Sequence, residues 1–163
     1  TNQLVWQLRE DPRVVVMEQT NFRYSKLEDF THGQPEFASI DVSFISLSMI
    51  LPPLSHILKQ GGSVVALIKP QFEAGRDHVG KNGIIHKRST HEAVLNKVLK
   101  FATEDHFDVL ALDYSPIKGG QGNIEFLVHL RLKDQTGTID PSVDINAVID
   151  HAYEDLKVKG QGR

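Results

Sequence analysis

Apolar residues are arranged along the chain in two alternating patterns. Short β-branched or continuous apolar runs at residues 13–17 (RVVVM), 37–42 (FASIDV), 63–68 (SVVALI) and 107–114 (FDVLALDY) read as strands, and residues 124–132 (IEFLVHLRL) alternate as one face of an antiparallel strand. The run at 63–68 is short, unbroken and apolar, as expected in the middle of a parallel sheet. Helical spacing recurs between these runs. The first ten residues read as the tail of a helix (Leu4, Val5, Leu8) that stops near Asp11 and Pro12. Residues 48–60 place Ile50, Leu51, Leu54, Ile57 and Leu58 on one face, with Pro52 and Pro53 in the first turn and Gly61-Gly62 as the stop. A further helix is predicted from a cap at Ser89 or Thr90 to about Glu104, with Ala93, Val94, Val98, Leu99 and Ala102 inward. Residues 141–158 predict an acidic terminal helix with Val143, Ala147, Val148, Ala152 and Leu156 inward, and the final GQGR is expected to fray.

Between the third strand and its helix, residues 71–88 (QFEAGRDHVGKNGIIHKR) hold three glycines and little periodicity, and read as a lid-like loop. The turn SPIKGGQGN joins the last two strands as a hairpin. Strands alternating with helices and ending in an antiparallel pair predict the later part of a doubly wound α/β sheet. Such sheets normally open with a strand and a glycine-rich turn that leads into a helix, and none precedes Val14. The Gly119-Gly120-Gln121-Gly122 run leads into a strand and so fits neither the dinucleotide fingerprint nor the P-loop. The first two strands are therefore predicted to be missing, and the sheet to meet the gap with a rearranged edge or a homodimer through the incomplete sheet.

Composition narrows the function classes. The 163 residues are 40% hydrophobic and 24% charged, ordinary for one globular domain with a sizeable core. With no cysteine, disulfides, Cys-based zinc sites and a thiol nucleophile are excluded. The longest apolar run, Val64 to Ile68, is far short of the roughly 20 residues of a membrane helix. Together with the absence of a secretory pattern, this sets the expectation of a cytoplasmic protein with no membrane partner. The net charge of −3 leaves no whole-protein polyanion footprint, so any basic surface is local.

In α/β sheets ligands bind beyond the carboxyl ends of the strands, and each such end here is polar. Glu18 to Arg23 (EQTNFR) follows the first run, Asp41 ends the second and Lys69 the third. Glu125 opens the antiparallel strand, which runs the other way and so starts at the same edge. A lysine flanked by two carboxylates in a cleft is held in place. Desolvation would let such a lysine act as a base near neutral pH, whereas the carboxylates favour its protonated form unless burial or a nearby cation offsets them. The plainer alternative is that each is a solvated rim charge.

The strings DPRVVVMEQTNFR (11–23), SIDVSFISL (39–47), ALIKPQFEAGRDHVGKNGI (66–84) and SPIKGGQGNIEFLVHL (115–130) resemble the bacterial haemolysin A (TlyA-type) family, whose catalytic domain is an FtsJ-like S-adenosylmethionine-dependent methyltransferase. The resemblance covers about residues 1–132. It implies the C-terminal portion of a class I Rossmann-like methyltransferase sheet over 1–132, with 133–163 a polar linker and acidic helix packed on the same domain. It also implies a function: part of an enzyme that transfers methyl from S-adenosylmethionine to a ribose 2′-hydroxyl of ribosomal RNA, with ribosomal RNA or ribosomal subunits as partner. The family's S4-type RNA-binding domain is not represented. Of its Lys-Asp-Lys-Glu tetrad, Asp41, Lys69 and Glu125 match the last three members, with Lys69 as candidate base and the carboxylates orienting it and the hydroxyl. The resemblance assigns Asn21, Phe22 and the Asp41 neighbourhood to the donor, the first two where the family contacts adenine. Because the glycine-rich donor turn and its ribose-binding acid are missing, this chain alone is expected to be inactive.

The scheme calls for no metal, and the eight histidines show no pair at metal-ligand spacing, most reading as surface residues. Residues 69–88 carry five Lys or Arg against two acids, a local +3 in which Arg76, Lys81, Lys87 and Arg88 are candidate RNA contacts; the alternative is an ordinary solvated loop. Phe72 reads as a loop anchor in preference to a base-stacking platform, and Trp6 with the stripe Ile50, Leu54 and Leu58 as core. A haemolysin-like binding or membrane-associated protein without catalysis is the rival class, and a base or protein acceptor the rival chemistry.

Overall fold

The computed structural model describes residues 3–156. Its elements are α1 (Trp6–Arg9), β1 (Phe37–Ile40), α2 (Leu51–Ile57), β2 (Ser63–Ile68), α3 (Pro70–Glu73), α4 (Arg88–Glu104), β3 (Phe107–Tyr114), β4 (Phe126–Leu132) and α5 (Ile145–Asp155). The four strands form one mixed sheet in the order β1-β2-β4-β3. β1 runs parallel to β2, while β4 is antiparallel to both β2 and β3. The expected hairpin between the last two strands is present, and the order accounts for the antiparallel reading of residues 124–132.

Alternation in β2 and β4 decides which residues form the core. Val64, Ala66 and Ile68 of β2 and Phe126, Val128, Leu130 and Leu132 of β4 are buried, whereas the intervening residues are half-buried or exposed. They pack with Ile50, Leu51, Leu54 and Leu58 from the α2 region and with Val94, Leu95, Val98, Leu99 and Ala102 of α4 in one continuous cluster. Full burial of each Val, Leu, Ile or Phe side chain among them contributes about 1.5–3 kcal/mol. Pro52 and Pro53 lie in the first turn of α2, where a missing N–H costs nothing.

Several expectations need correction. Residues 13–17 form no strand: Val15 and Met17 are 50% and 41% exposed. A β-branched run gains little without a neighbour to pair with, and the described sheet ends at β1. Nor is that edge rearranged, since no strand pairs with β1 on its outer side among the described residues. α2 is shorter than expected, because a 3₁₀ turn at Leu47–Met49 precedes it and Leu58 is already extended. α4 starts at Arg88 with Lys87 at the cap position, so neither Ser89 nor Thr90 caps it, and Thr90 is buried instead. Ala93 is exposed and Leu95 takes the inward place. Trp6 is 69% exposed, outside the core. Of the histidines, His91 is buried, packed edge-on to Phe126 with Nδ1 2.5 Å from the Tyr153 hydroxyl.

α5 is capped by Asp144, which accepts the Ala147 N–H at 3.0 Å, and buries Ile149 and Ala152. Ahead of it, Val109 donates its N–H to Thr138 and accepts that of Asp140 through its carbonyl, at 2.8 and 2.9 Å, so residues 137–140 lie along β3. The expected helix end at 157–158 and the terminal GQGR lie outside the described residues. No helix among the described residues is long and apolar enough to cross a membrane.

Candidate active site

β1 and β2 deliver Asp41 and Lys69 to one edge. Both strands end just before these residues, and their parallel register carries the two side chains out beyond the same edge. Lys69 Nζ lies 2.5 Å from Asp41 Oδ1 and 3.2 Å from Ser43 Oγ. The Lys69 side chain is 13% exposed and that of Asp41 68%, so the pair has a sheltered cation and an open carboxylate. The chain then turns sharply. Lys69 is the cap residue of α3, and Pro70 at the first helical position supplies the φ that starts the turn.

Glu125 reaches the same edge from β4. Ile68 pairs with Phe126, so Glu125 and Lys69 are the next positions on adjacent antiparallel strands. Glu125 is buried at 6% exposure. Its Oε2 accepts the Gln71 amide at 3.0 Å, and its backbone carbonyl accepts the Ser115 N–H at 2.8 Å. Asp41 and Lys69 are thus in direct contact, and Glu125 is tied to the Lys69 segment through Gln71.

A cavity of about 360 Å³ opens beside Asp41, with Phe22, Phe30 and Phe37 among its mainly apolar walls. Phe22 begins a 3₁₀ turn capped by Asn21, whose Oδ1 accepts the Arg23 N–H at 3.1 Å. Phe22 and Asp41 therefore line one recess, while Asn21 is exposed and spends its carbonyl on the turn. An apolar recess with an aromatic wall and an open carboxylate at its rim suits a flat heterocycle carrying hydroxyl groups.

The loop after α3 is less free than its composition suggests. Asn123, 2% exposed, accepts the Ile85 N–H at 3.0 Å and donates to Gly83 O at 2.8 Å, pinning the loop to the β3–β4 turn. Arg76, Lys81 and Lys87 are exposed along it. Arg88 is committed elsewhere, 2.9 Å from Glu92 and 2.5 Å from Asp150, with a further bond to Asn146 O and its guanidinium over Tyr153.

Glu73 holds the site from behind. Its carboxylate accepts the Ser46 hydroxyl at 2.6 Å and the Leu47 N–H at 2.7 Å, and burial pushes its pKa up. Ser43, Gln71, Glu73 and Asn123 were not singled out by sequence reasoning. The signal for two of them lay in the string KPQFE, whose polar residues alternate directly after the candidate base. Phe44 was also missed: it is 89% exposed, at φ +64°, with its ring 4.9 Å from that of Phe72.

Residues 1–132 match the FtsJ-like methyltransferase family. The chain belongs to that family. It is 51% identical over 160 residues to a Bacillus subtilis protein named "Putative rRNA methyltransferase YqxC", covering 97% of this chain and 57% of the relative. It is 37% identical over 129 residues to the "16S/23S rRNA (cytidine-2'-O)-methyltransferase TlyA" of Mycobacterium tuberculosis, covering 79% of this chain and 48% of that one. A solved structure titled "Putative hemolysin from Streptococcus thermophilus" superposes with a TM-score of 0.92 at 57% identity, over 96% of this chain and 56% of that chain. The chain thus spans about half the length of the curated relatives it matches. Asp41, Lys69 and Glu125 all lie within the matched residues.

Proposed function

We propose that this chain is the catalytic part of a ribosomal RNA methyltransferase that uses S-adenosylmethionine to methylate a ribose 2′-hydroxyl. The observation that carries the reading is the Lys69–Asp41 pair, 2.5 Å apart at the strand edge and beside an apolar recess, in a chain of this family. S-adenosylmethionine supplies an electrophilic methyl group on a sulfonium. Phe22 would face its adenine in the recess, and Asp41 stands at the rim where hydroxyl groups would lie.

Displacement at a methyl carbon is in-line, so holding the attacking oxygen accounts for much of the rate. Lys69 sits in a sheltered position with its Nζ directed by Asp41 and Ser43, and in its neutral form, favoured by the positive charge of a bound sulfonium, it would take the hydroxyl proton as the new C–O bond forms and the sulfur–methyl bond breaks. Asp41 fixes the lysine and Glu125 orients the hydroxyl from the neighbouring strand. Arg76, Lys81 and Lys87 offer exposed positive charge for RNA phosphates. Phe44 offers an exposed aromatic face to a nucleobase. A membrane-acting haemolysin finds less support, since none of the described helices is long and apolar enough to span a bilayer.

The test is transfer of labelled methyl from S-adenosylmethionine to ribosomal subunits by the full-length protein, with ribose methylation mapped by resistance to alkaline cleavage. Lys69→Met should lower turnover by about 100-fold or more. A label on a base or on protein, or a Lys69→Met variant with the parent rate, overturns the proposal.

A further inference from the structure

The segment after Lys69 makes three ties with alternate residues. Lys69 reaches Asp41, Gln71 reaches Glu125, and Glu73 reaches Ser46 and Leu47. Residues two apart on a helical turn point in different directions, which is how one turn of α3 contacts both the start of β4 and the segment ahead of α2. Glu73 is buried and Gln71 half-buried, so the turn is anchored.

The Glu125 carboxylate has two close neighbours. The Gln71 Nε2–H donates to Oε2 at 3.0 Å. The reverse amide orientation would set a carbonyl oxygen against a carboxylate oxygen, and the Gln71 Oε1 instead lies buried with no hydrogen-bond partner. The carboxylate also faces the bare Cα of Gly119, where an added Cβ would come within 2.0 Å of Oε2 and 2.8 Å of Oε1. Any side chain at position 119 therefore displaces the carboxylate.

We propose that Gln71 is a positioning residue for methyl transfer: its amide, with the close approach that the glycine at 119 permits, fixes the Glu125 carboxylate in the direction it needs before substrate arrives. This rests on the reading of Glu125 as part of the methyl-transfer site. A carboxylate that need not reorient stabilises the reacting hydroxyl without a reorganisation cost, which is where such an outer contact affects rate. The leftover Gln71 acceptor is the mark of an amide placed for its donor end.

Steady-state methylation of ribosomal subunits by the full-length protein tests this with Gln71→Met, which keeps length and removes the donor. Its kcat should fall about 10- to 100-fold, with KM for the subunit and affinity for S-adenosylmethionine within about threefold of the parent. Gly119→Ala crowds the same carboxylate without altering α3 and should show the same split. In a Glu125→Gln background, Gln71→Met should cost less than about twofold more, since its target is already gone. A parent kcat in Gln71→Met with a deficient Glu125→Gln overturns the positioning role alone, as do losses that multiply in the double variant. A parent kcat in Glu125→Gln overturns this role together with the assignment of Glu125 to the site.

Discussion

The Glu73 carboxylate accepts the backbone N–H of Leu47, 26 positions away, at 2.7 Å. This bond caps the 3₁₀ turn ahead of α2 with a side chain from the turn that follows Lys69, so the two segments carrying the candidate site are braced against each other. Removing the carboxyl leaves a buried N–H unpaired, and Glu73→Ala should lower stability by about 2–3 kcal/mol in urea denaturation. Burial raises the Glu73 pKa above its ordinary value of 4.5. The folded state therefore holds this proton to higher pH than the unfolded chain, and the carboxyl's contribution to stability declines as pH rises above about 4.5. Glu73→Gln keeps an acceptor for Leu47 without a charge to bury. It should cost little at pH 4 and gain relative to the parent toward pH 7.

His91 gives the opposite slope. Burial lowers its pKa from 6.5 to about 4. Above pH 6.5 both folded and unfolded states hold it neutral. Between 6.5 and about 4 the unfolded chain binds the extra proton, so stability falls as pH falls, by about 3 kcal/mol across that window. His91→Gln, which can still bond the Tyr153 hydroxyl, should remove this part of the slope in denaturation series at pH 7, 5.5 and 4.5.

The sequence pattern revealed those elements whose own periodicity meets a partner. The apolar run of β2 and the alternation of β4 suffice because each strand has a neighbour on both sides. The same reading overreached at 13–17, where the propensity is equal and the partner is absent among the described residues. Trp6 misled for the same reason, as hydrophobicity does not say what covers a residue. At the candidate site, the placement of Asp41, Lys69 and Glu125 at one edge was legible from strand ends, but Gln71 and Asn123 act through contacts with residues 54 and 38–40 positions away, which no local spacing encodes.

The charged loop separates into two kinds of cation. Arg76, Lys81 and Lys87 are exposed, whereas Arg88 is paired with Glu92 and Asp150. If the first three meet RNA phosphates, each Ala variant should weaken RNA binding and lower the slope of log K against log salt by about 0.7 to 0.9. Arg88→Ala should leave that slope unchanged and cost under about 1 kcal/mol of stability, because its ion pairs are solvent-exposed. Fluorescence anisotropy at four salt concentrations reads the first, and thermal melting the second.

Gly137 opens the segment that lies along β3. An added Cβ would lie 1.8 Å from Phe107 O, and its N–H already bonds Thr103 O at 2.9 Å, so the backbone has no room to move. Gly137→Ala should cost about 3 kcal/mol or more. Gly120→Ala, with nothing within 4 Å of its added methyl, is the control and should stay within about 0.5 kcal/mol.

Phe44 combines three properties that oppose a purely structural role: 89% exposure, a left-handed φ of +64°, and a position three residues after Asp41. Its backbone strain is of order 1 kcal/mol, and the tilted contact with Phe72 returns about as much. Phe44→Gly should therefore change the melting temperature by only a few degrees. If its ring carries the nucleobase next to the reacting ribose, Phe44→Ala should lower kcat/KM for ribosomal subunits by about 10- to 100-fold, the equivalent of 1–3 kcal/mol of stacking. Phe72→Ala should differ in kind. That ring is half-buried beneath Phe44, so its loss should lower stability as well as turnover. Equal stability losses in the two variants would make Phe44 part of the same loop anchor and remove it from RNA recognition.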